Sequence, residues 1–151
     1  MRFTIIGWNF RKTPVEVRDN LVLTPDQQVE LGHQLSNRFN LGGIAILSTC
    51  NRTEFFLVNA EQQLDQIIEM LEKYWKLSEL RESVYIIHNL DGVRHLFRVA
   101  SSLDSMVLGE PQILGQLKDA FQSFNEADLT RKLLHHLFTR AFSTAKRVRT
   151  E

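Results

Sequence analysis

The stretch Ile44-Ala45-Ile46-Leu47-Ser48-Thr49-Cys50-Asn51-Arg52-Thr53-Glu54-Phe55-Phe56-Leu57-Val58-Asn59 divides into two apolar runs with a polar cluster between them. Ile44 to Ser48 is predicted as a short buried strand and Thr53 to Asn59 as a second, with Thr49-Cys50-Asn51-Arg52 at their junction. That junction puts Cys50 on a turn. Upstream, Arg2 to Asn9 is rich in β-branched and aromatic residues and reads as a first strand, broken by the polar stretch around Pro14. Thr24-Pro25-Asp26-Gln27 then opens a helix in which Thr24 caps, Pro25 takes the first position and Gln27 supplies the return arm of a capping box. Leu31, Leu35 and Phe39 give that helix one apolar side, and Leu41-Gly42-Gly43 is expected to stop it. Downstream, Leu64, Ile67, Ile68, Leu71 and Trp75 follow the three-four spacing of an amphipathic helix, and Val84 to His88 reads as a fourth strand.

The order strand, helix, strand, strand, helix, strand over residues 1–90 is the βαββαβ pattern of a ferredoxin-like split-βαβ sandwich. Residues 91–151 carry helical periodicity alone. One helix is marked by Val93, Leu96, Phe97 and Ala100, a second begins near Pro111 and runs past Phe124, and a third spans Leu133 to Val148. The expected class is therefore α+β, with a C-terminal group of about three helices. No glycine or proline ends the last helix after Lys146-Arg147-Val148-Arg149-Thr150-Glu151, so the chain is expected to be a piece cut from a longer protein.

The 151 residues suit one ordinary domain, and 18 Lys+Arg against 18 Asp+Glu leave no overall excess of either sign. Any site for a polyanion must then be local. With 43% hydrophobic residues, seven Gly and three Pro, low-complexity and fibrous classes are excluded. A single cysteine forms no internal disulfide, and no Cys/His cluster has structural-zinc spacing, which fits a reducing, cytoplasmic setting without a metal. The apolar stretch Phe3 to Trp8 is too short for a membrane span and lacks the leading basic residues of an export signal.

Cys50 is the residue most able to carry chemistry. Lone cysteines are commonly small buried hydrophobes, but here hydroxyls, an amide and the Arg52 guanidinium surround the thiol, an environment that favours a thiolate nucleophile. The planar fork of Arg52 could grip a substrate carboxylate. His95 lies inside an apolar helical pattern, which fits a structural histidine or a proton carrier beside Cys50. His135 and His136 point about 100° apart on a helix and read as structural. Gly109-Glu110-Pro111-Gln112-Ile113-Leu114-Gly115-Gln116 matches neither a Walker A loop nor a dinucleotide fingerprint; it is a helix start that could add Glu110, Gln112 and Gln116 to a polar pocket. Arg131, Lys132, Arg140, Lys146, Arg147 and Arg149 make the last third locally basic, either as a solvated helix face or as a contact for RNA phosphates.

Ser48-Thr49-Cys50-Asn51-Arg52-Thr53-Glu54, His95-Leu96-Phe97-Arg98-Val99-Ala100, Leu103-Asp104-Ser105 and Gly109 to Gln116, in this order and at these separations, closely resemble the N-terminal catalytic domain of glutamyl-tRNA reductases. The resemblance spans essentially the whole of residues 1–151. It implies reduction of glutamyl-tRNA with NADPH to glutamate-1-semialdehyde, the entry to tetrapyrrole, haem and chlorophyll synthesis. Cys50 matches the family's nucleophile, which would form a glutamyl thioester, and His95 matches its functionally important histidine. Thr49, Asn51, Arg52, Ser105, Glu110, Pro111, Gln112 and Gln116 match its substrate pocket, with Arg52 the natural partner of the glutamate side-chain carboxylate. The resemblance further implies separate NADPH-binding and dimerisation domains absent from these residues, a homodimer of the full-length protein, an aminomutase or regulatory protein as partner, and a cytoplasmic or plastid-stromal location. Phe10 and Ser102 depart from the pattern, standing where the family usually has His and Gly. Without a hydride donor the fragment would at most act as an esterase. The alternative reading is a tRNA- or regulator-binding module without its own catalysis.

Overall fold

Every residue of strand β1 (Phe3–Asn9) and of strand β3 (Arg52–Val58) is buried, so the sheet that they centre is covered on both faces. The computed structural model describes residues 2–9, 13–101 and 113–150. After β1 come helices α1 (Val15–Asn20) and α2 (Pro25–Phe39), strands β2 (Gly43–Ser48) and β3, then helix α3 (Leu64–Trp75), the single turn α4 (Leu80–Ser83) and strand β4 (Tyr85–His88). Helices α5 (Asn89–Ala100), α6 (Ile113–Glu126) and α7 (Arg131–Thr150) follow, α5 beginning two residues ahead of the expected boundary at 91.

The sheet order is β2-β3-β1-β4, and all three neighbouring pairs are antiparallel. The connection β1 to β2 thus leaves room for β3 between them, and β3 to β4 leaves room for β1. One face carries Trp8 and Phe55, whose rings meet that of Trp75 from α3 edge-on at 6.1–6.2 Å. Trp8 also donates from its indole nitrogen to the carbonyl of Leu80 at 2.9 Å, which ties β1 to α4. The opposite face receives the C-terminal helices: Phe138 of α7 meets Phe56 edge-on at 5.2 Å, and Gly92 of α5 sits over Phe3. The free edge of β2 is closed where the N–H of Ile44 donates to the carbonyl of Leu129 at 2.8 Å.

Local chemistry sets the helix ends. Thr24 caps α2 as its sequence implied, its hydroxyl accepting from the N–H of Gln27 at 3.2 Å while the Gln27 amide oxygen accepts from the Thr24 N–H at 2.9 Å. The stop is different from the expected one. Asn40 ends the helix in the left-handed region, at φ 51°, with its N–H on the Ser36 carbonyl, and Gly42 and Gly43 already belong to the approach to β2. Helices α1 and α4 were not expected, because six and four residues are too few to show a helical period.

Gly43 lies against the residue that leads into α7. A Cβ on Gly43 would lie 2.4 Å from the Thr130 carbonyl oxygen, a backbone atom with nowhere to retreat. Gly43→Ala is therefore expected to cost about 1–3 kcal/mol, the usual range for overpacking. In urea unfolding the midpoint should fall while the slope stays unchanged.

Candidate active site

The turn between β2 and β3 is built by one hydroxyl. Thr49 Oγ1 accepts from the N–H groups of Asn51 and Arg52, both at 3.1 Å, and the Thr49 N–H donates to the Arg52 carbonyl at 2.8 Å. Cys50 and Asn51 form the tip of this pinned turn, and the Cys50 thiol is exposed. The base of the turn is held as well: Ser48 Oγ accepts from the Leu23 N–H at 2.9 Å, and the Thr53 hydroxyl donates to the Leu21 carbonyl. Thr49 is thus buried in building the turn, and the thiol beside it is offered to solvent on a rigid support.

Beneath the turn lies a charged cluster inside the fold. Strand register puts Asn9 opposite Arg52, and Gly7 opposite both Glu54 on β3 and Tyr85 on β4. Directly opposed residues share a face, so Glu54, Gly7 and Tyr85 form one row across three strands. Gly7 has no side chain to fill the middle of that row. A Cβ there would lie 2.6 Å from Tyr85 Oη and 2.7 Å from its Cζ, which shows that the tyrosine ring crosses the space a larger residue would take. Through that space Tyr85 Oη donates to Glu54 Oε2, and His95 Nε2 of α5 meets the same oxygen. Arg52 Nη1 stands 3.8 Å from the other oxygen, Oε1.

Arg52 is 1% exposed and Glu54 0%. Burial alone would push the Glu54 carboxyl up; the charge and hydrogen bond of His95, the charge of Arg52 and the hydrogen bond of Tyr85 outweigh it and hold the group below its ordinary value. An ionised carboxylate only accepts hydrogen bonds, so His95 donates to it from Nε2.

Several expected site residues come together here and others do not. Thr49, Cys50, Asn51 and Arg52 share the turn. Gln116 is exposed on α6 and lines a groove with Pro25, Gln28, Leu47 and Ser48, at the end of β2 that leads into the turn. His95 makes its described polar contact with Glu54, whereas it was expected beside Cys50. Ser105, Glu110, Pro111 and Gln112 lie outside the described residues, as do Phe10 and Ser102. The functional residue that sequence reasoning passed over is Glu54, together with Tyr85. A glycine inside a strand of large residues was the available signal for a close approach over Gly7. Among the described residues no group of three or more His, Cys, Asp or Glu could hold a metal ion, and no helix is long and apolar enough to cross a membrane.

Fold and site together define an α+β domain that presents one exposed thiol on a pinned turn above a buried carboxylate, imidazole, phenol and guanidinium. The family model "Glutamyl-tRNAGlu reductase, N-terminal domain" matches residues 6–151, and the chain belongs to this family. Proteins named glutamyl-tRNA reductase from Ectopseudomonas mendocina and Pseudomonas aeruginosa are 47% and 46% identical over the whole chain, which spans 36% of each. The solved structure of glutamyl-tRNA reductase from Methanopyrus kandleri superposes with a TM-score of 0.82 at 26% identity, covering 98% of this chain and 34% of that one. The chain thus spans about a third of the length of these relatives.

Two outcomes test the cluster. A carboxyl held below its ordinary value favours the folded state above the unfolded-state pKa, and that contribution disappears as pH falls through the lower folded value. Glu54→Gln should therefore flatten the loss of stability below about pH 4.5, the ordinary value of the group, in urea titrations at stepped pH. Gly7→Ala should displace the Tyr85 ring and break its bond to Glu54, read as a perturbed tyrosine absorbance and a stability loss of about 1–3 kcal/mol.

Proposed function

We propose that this chain is the substrate-binding and thioester-forming part of a glutamyl-tRNA reductase, with Cys50 as the nucleophile. The observation that carries the reading is the exposed Cys50 on a turn pinned by Thr49, at the head of the strand that carries Arg52 and Glu54 into the cluster with His95 and Tyr85. The Cys50 sulfur attacks the carbonyl carbon of the ester that joins glutamate to tRNA, a C–S bond forms, and the C–O bond to the terminal ribose breaks. The ribose oxygen leaves with the proton that the thiol gave up. By resemblance His95 is the proton carrier of this step, its Nε2 held by Glu54.

Glu54 acts through its neighbours. Its Oε2 accepts from Tyr85 and meets His95, and its charge faces the Arg52 guanidinium, the group that by resemblance pairs with the side-chain carboxylate of the bound glutamate. Gln116 adds a polar group from α6, and Ser105, Glu110, Pro111 and Gln112 complete the pocket by resemblance. The sheet order, with β3 between β1 and β2 and β1 between β3 and β4, supports reading residues 1–90 as a ferredoxin-like sandwich.

NADPH is the reductant that the family resemblance implies. The described residues do not fit a dinucleotide: their strands pair antiparallel throughout, and none feeds a glycine-rich turn and helix N-terminus toward a parallel neighbour. No hydride step follows from them. What they support is formation of the thioester, which water would then resolve to glutamate.

The test is a single turnover with glutamyl-tRNA labelled in the amino acid, without NADPH, quenched in acid. Wild-type protein should retain label, and Cys50→Ala should retain none. His95→Asn should slow labelling by roughly 10²-fold or more, the usual contribution of a positioned acid-base group, and move its pH profile. Undiminished labelling of Cys50→Ala would overturn the reading.

A further inference from the structure

Helix α7 contains no acidic residue in its 20 positions, in a chain whose charges balance overall. It carries six Lys or Arg and two His. Leu134, Leu137, Phe138, Ala141 and Ala145 form its buried stripe. Lys132, His136 and Arg140 are exposed and spaced four apart, so they stack as one file about 12 Å long on the opposite side of the helix. Neither Lys132 nor Arg140 pairs with a carboxylate among the described residues. Arg131 differs, since its guanidinium is spent on the Leu41 carbonyl at 2.7 Å, and Asp128 is the acid nearest the start of the file, beside Lys132 in a shared hollow.

The file also has a direction. Leu134 packs against Gly43, and Phe138 packs against Phe56, which pairs with Ala45. Each turn of α7 therefore advances along β2 toward Thr49 and Cys50. An extended polyanion lying on this face would run toward the end of the sheet that bears the thiol.

We propose that the Lys132–His136–Arg140 face of α7 is a sequence-blind contact for an RNA phosphate backbone. The residues decide between partner classes. A bilayer contact needs apolar side chains at the same face, and a protein interface needs a buried aromatic or aliphatic anchor. This file offers neither: Phe138 is buried, and Phe142 is stacked among Phe121, Phe138 and the Lys118 ammonium. No Phe, Tyr or Trp is exposed on this file, and its two long cations reach for phosphates. That the RNA is a tRNA rests on the function proposed above; the attraction to phosphates does not.

The test measures binding of non-acylated tRNA to the chain by fluorescence anisotropy over a series of KCl concentrations. The variants are Lys132→Gln with Arg140→Gln, both exposed and checked for folding by circular dichroism, and Cys50→Ala. Wild type and Cys50→Ala should bind alike. The double variant should bind about ten-fold more weakly near 0.1 M salt, with its log–log salt slope reduced by roughly 1.5, as expected for two lost phosphate contacts. Equal affinity and slope in the double variant, or no tRNA binding by the wild type at low salt, would overturn the proposal. So would binding to phosphatidylserine vesicles that depends on the same two residues. Because no acylation is measured, failure here is separable from failure of the Cys50 reaction.

Discussion

A carboxylate without solvent contact must have its charge met inside the fold, and Glu54 is met from three directions at once. Arg52 comes from the same strand, Tyr85 from β4 and His95 from α5. Each partner is fixed by a different constraint. Arg52 follows directly from the turn that Thr49 pins, Tyr85 is admitted by the empty side of Gly7, and His95 is delivered by the packing of α5 on β1. Strand β4 has only four residues, yet its register is strongly specified. A slip by one position would carry Tyr85 to the opposite face and strip Glu54 of a donor.

The sheet face that bears this cluster is divided along its length. Toward one end it is polar, with Asn9, Arg52, Glu54 and Tyr85; toward the other it is apolar, with Phe3, Ile5, Phe56 and Val58. The apolar half anchors α5 and α7, and those anchors set where His95 reaches the polar half. A buried ionic cluster is a poor source of stability, since well-packed apolar residues of similar volume do as well or better. Its presence in an otherwise apolar interior therefore argues for positioning of charged groups under the Cys50 turn.

The fold was legible in sequence wherever its cause was local. The capping box at Thr24, the apolar stripe of α3 and the alternation of polar turn and apolar strand around Cys50 each sit within a few residues. Legibility ended where a signal was short or distant. Helices α1 and α4 span too few residues to reveal a period, and the conspicuous Gly42-Gly43 pair drew attention from Asn40, which ends α2. Glu54 was hidden for a deeper reason. Its burial follows from a row that joins residues 7, 54 and 85, and nothing in its immediate neighbourhood distinguishes it from a carboxylate facing water. The thiol could be found from its polar neighbours, whereas the group that organises those neighbours required the sheet register.

Exposure and burial divide the chemical labour in the way that the proposed thioester formation would use. A nucleophile that attacks the end of a large polyanion must project, because a tRNA terminus cannot enter a closed core; the Cys50 turn projects and is held by hydrogen bonds at tip and base. The groups that orient the reaction have the opposite need. A guanidinium or imidazole in water loses much of its directional force to solvent, while inside a low-dielectric fold the same group keeps its geometry and acts strongly at short range. A chain of zero net charge would add to this division on the two proposals above, with attraction for phosphate gathered on acid-free α7 and recognition of the small amino acid left to the residues around the Cys50 turn. On those proposals, affinity for the large substrate and selectivity for its reacting end would be set by different residues, and either could change without disturbing the other.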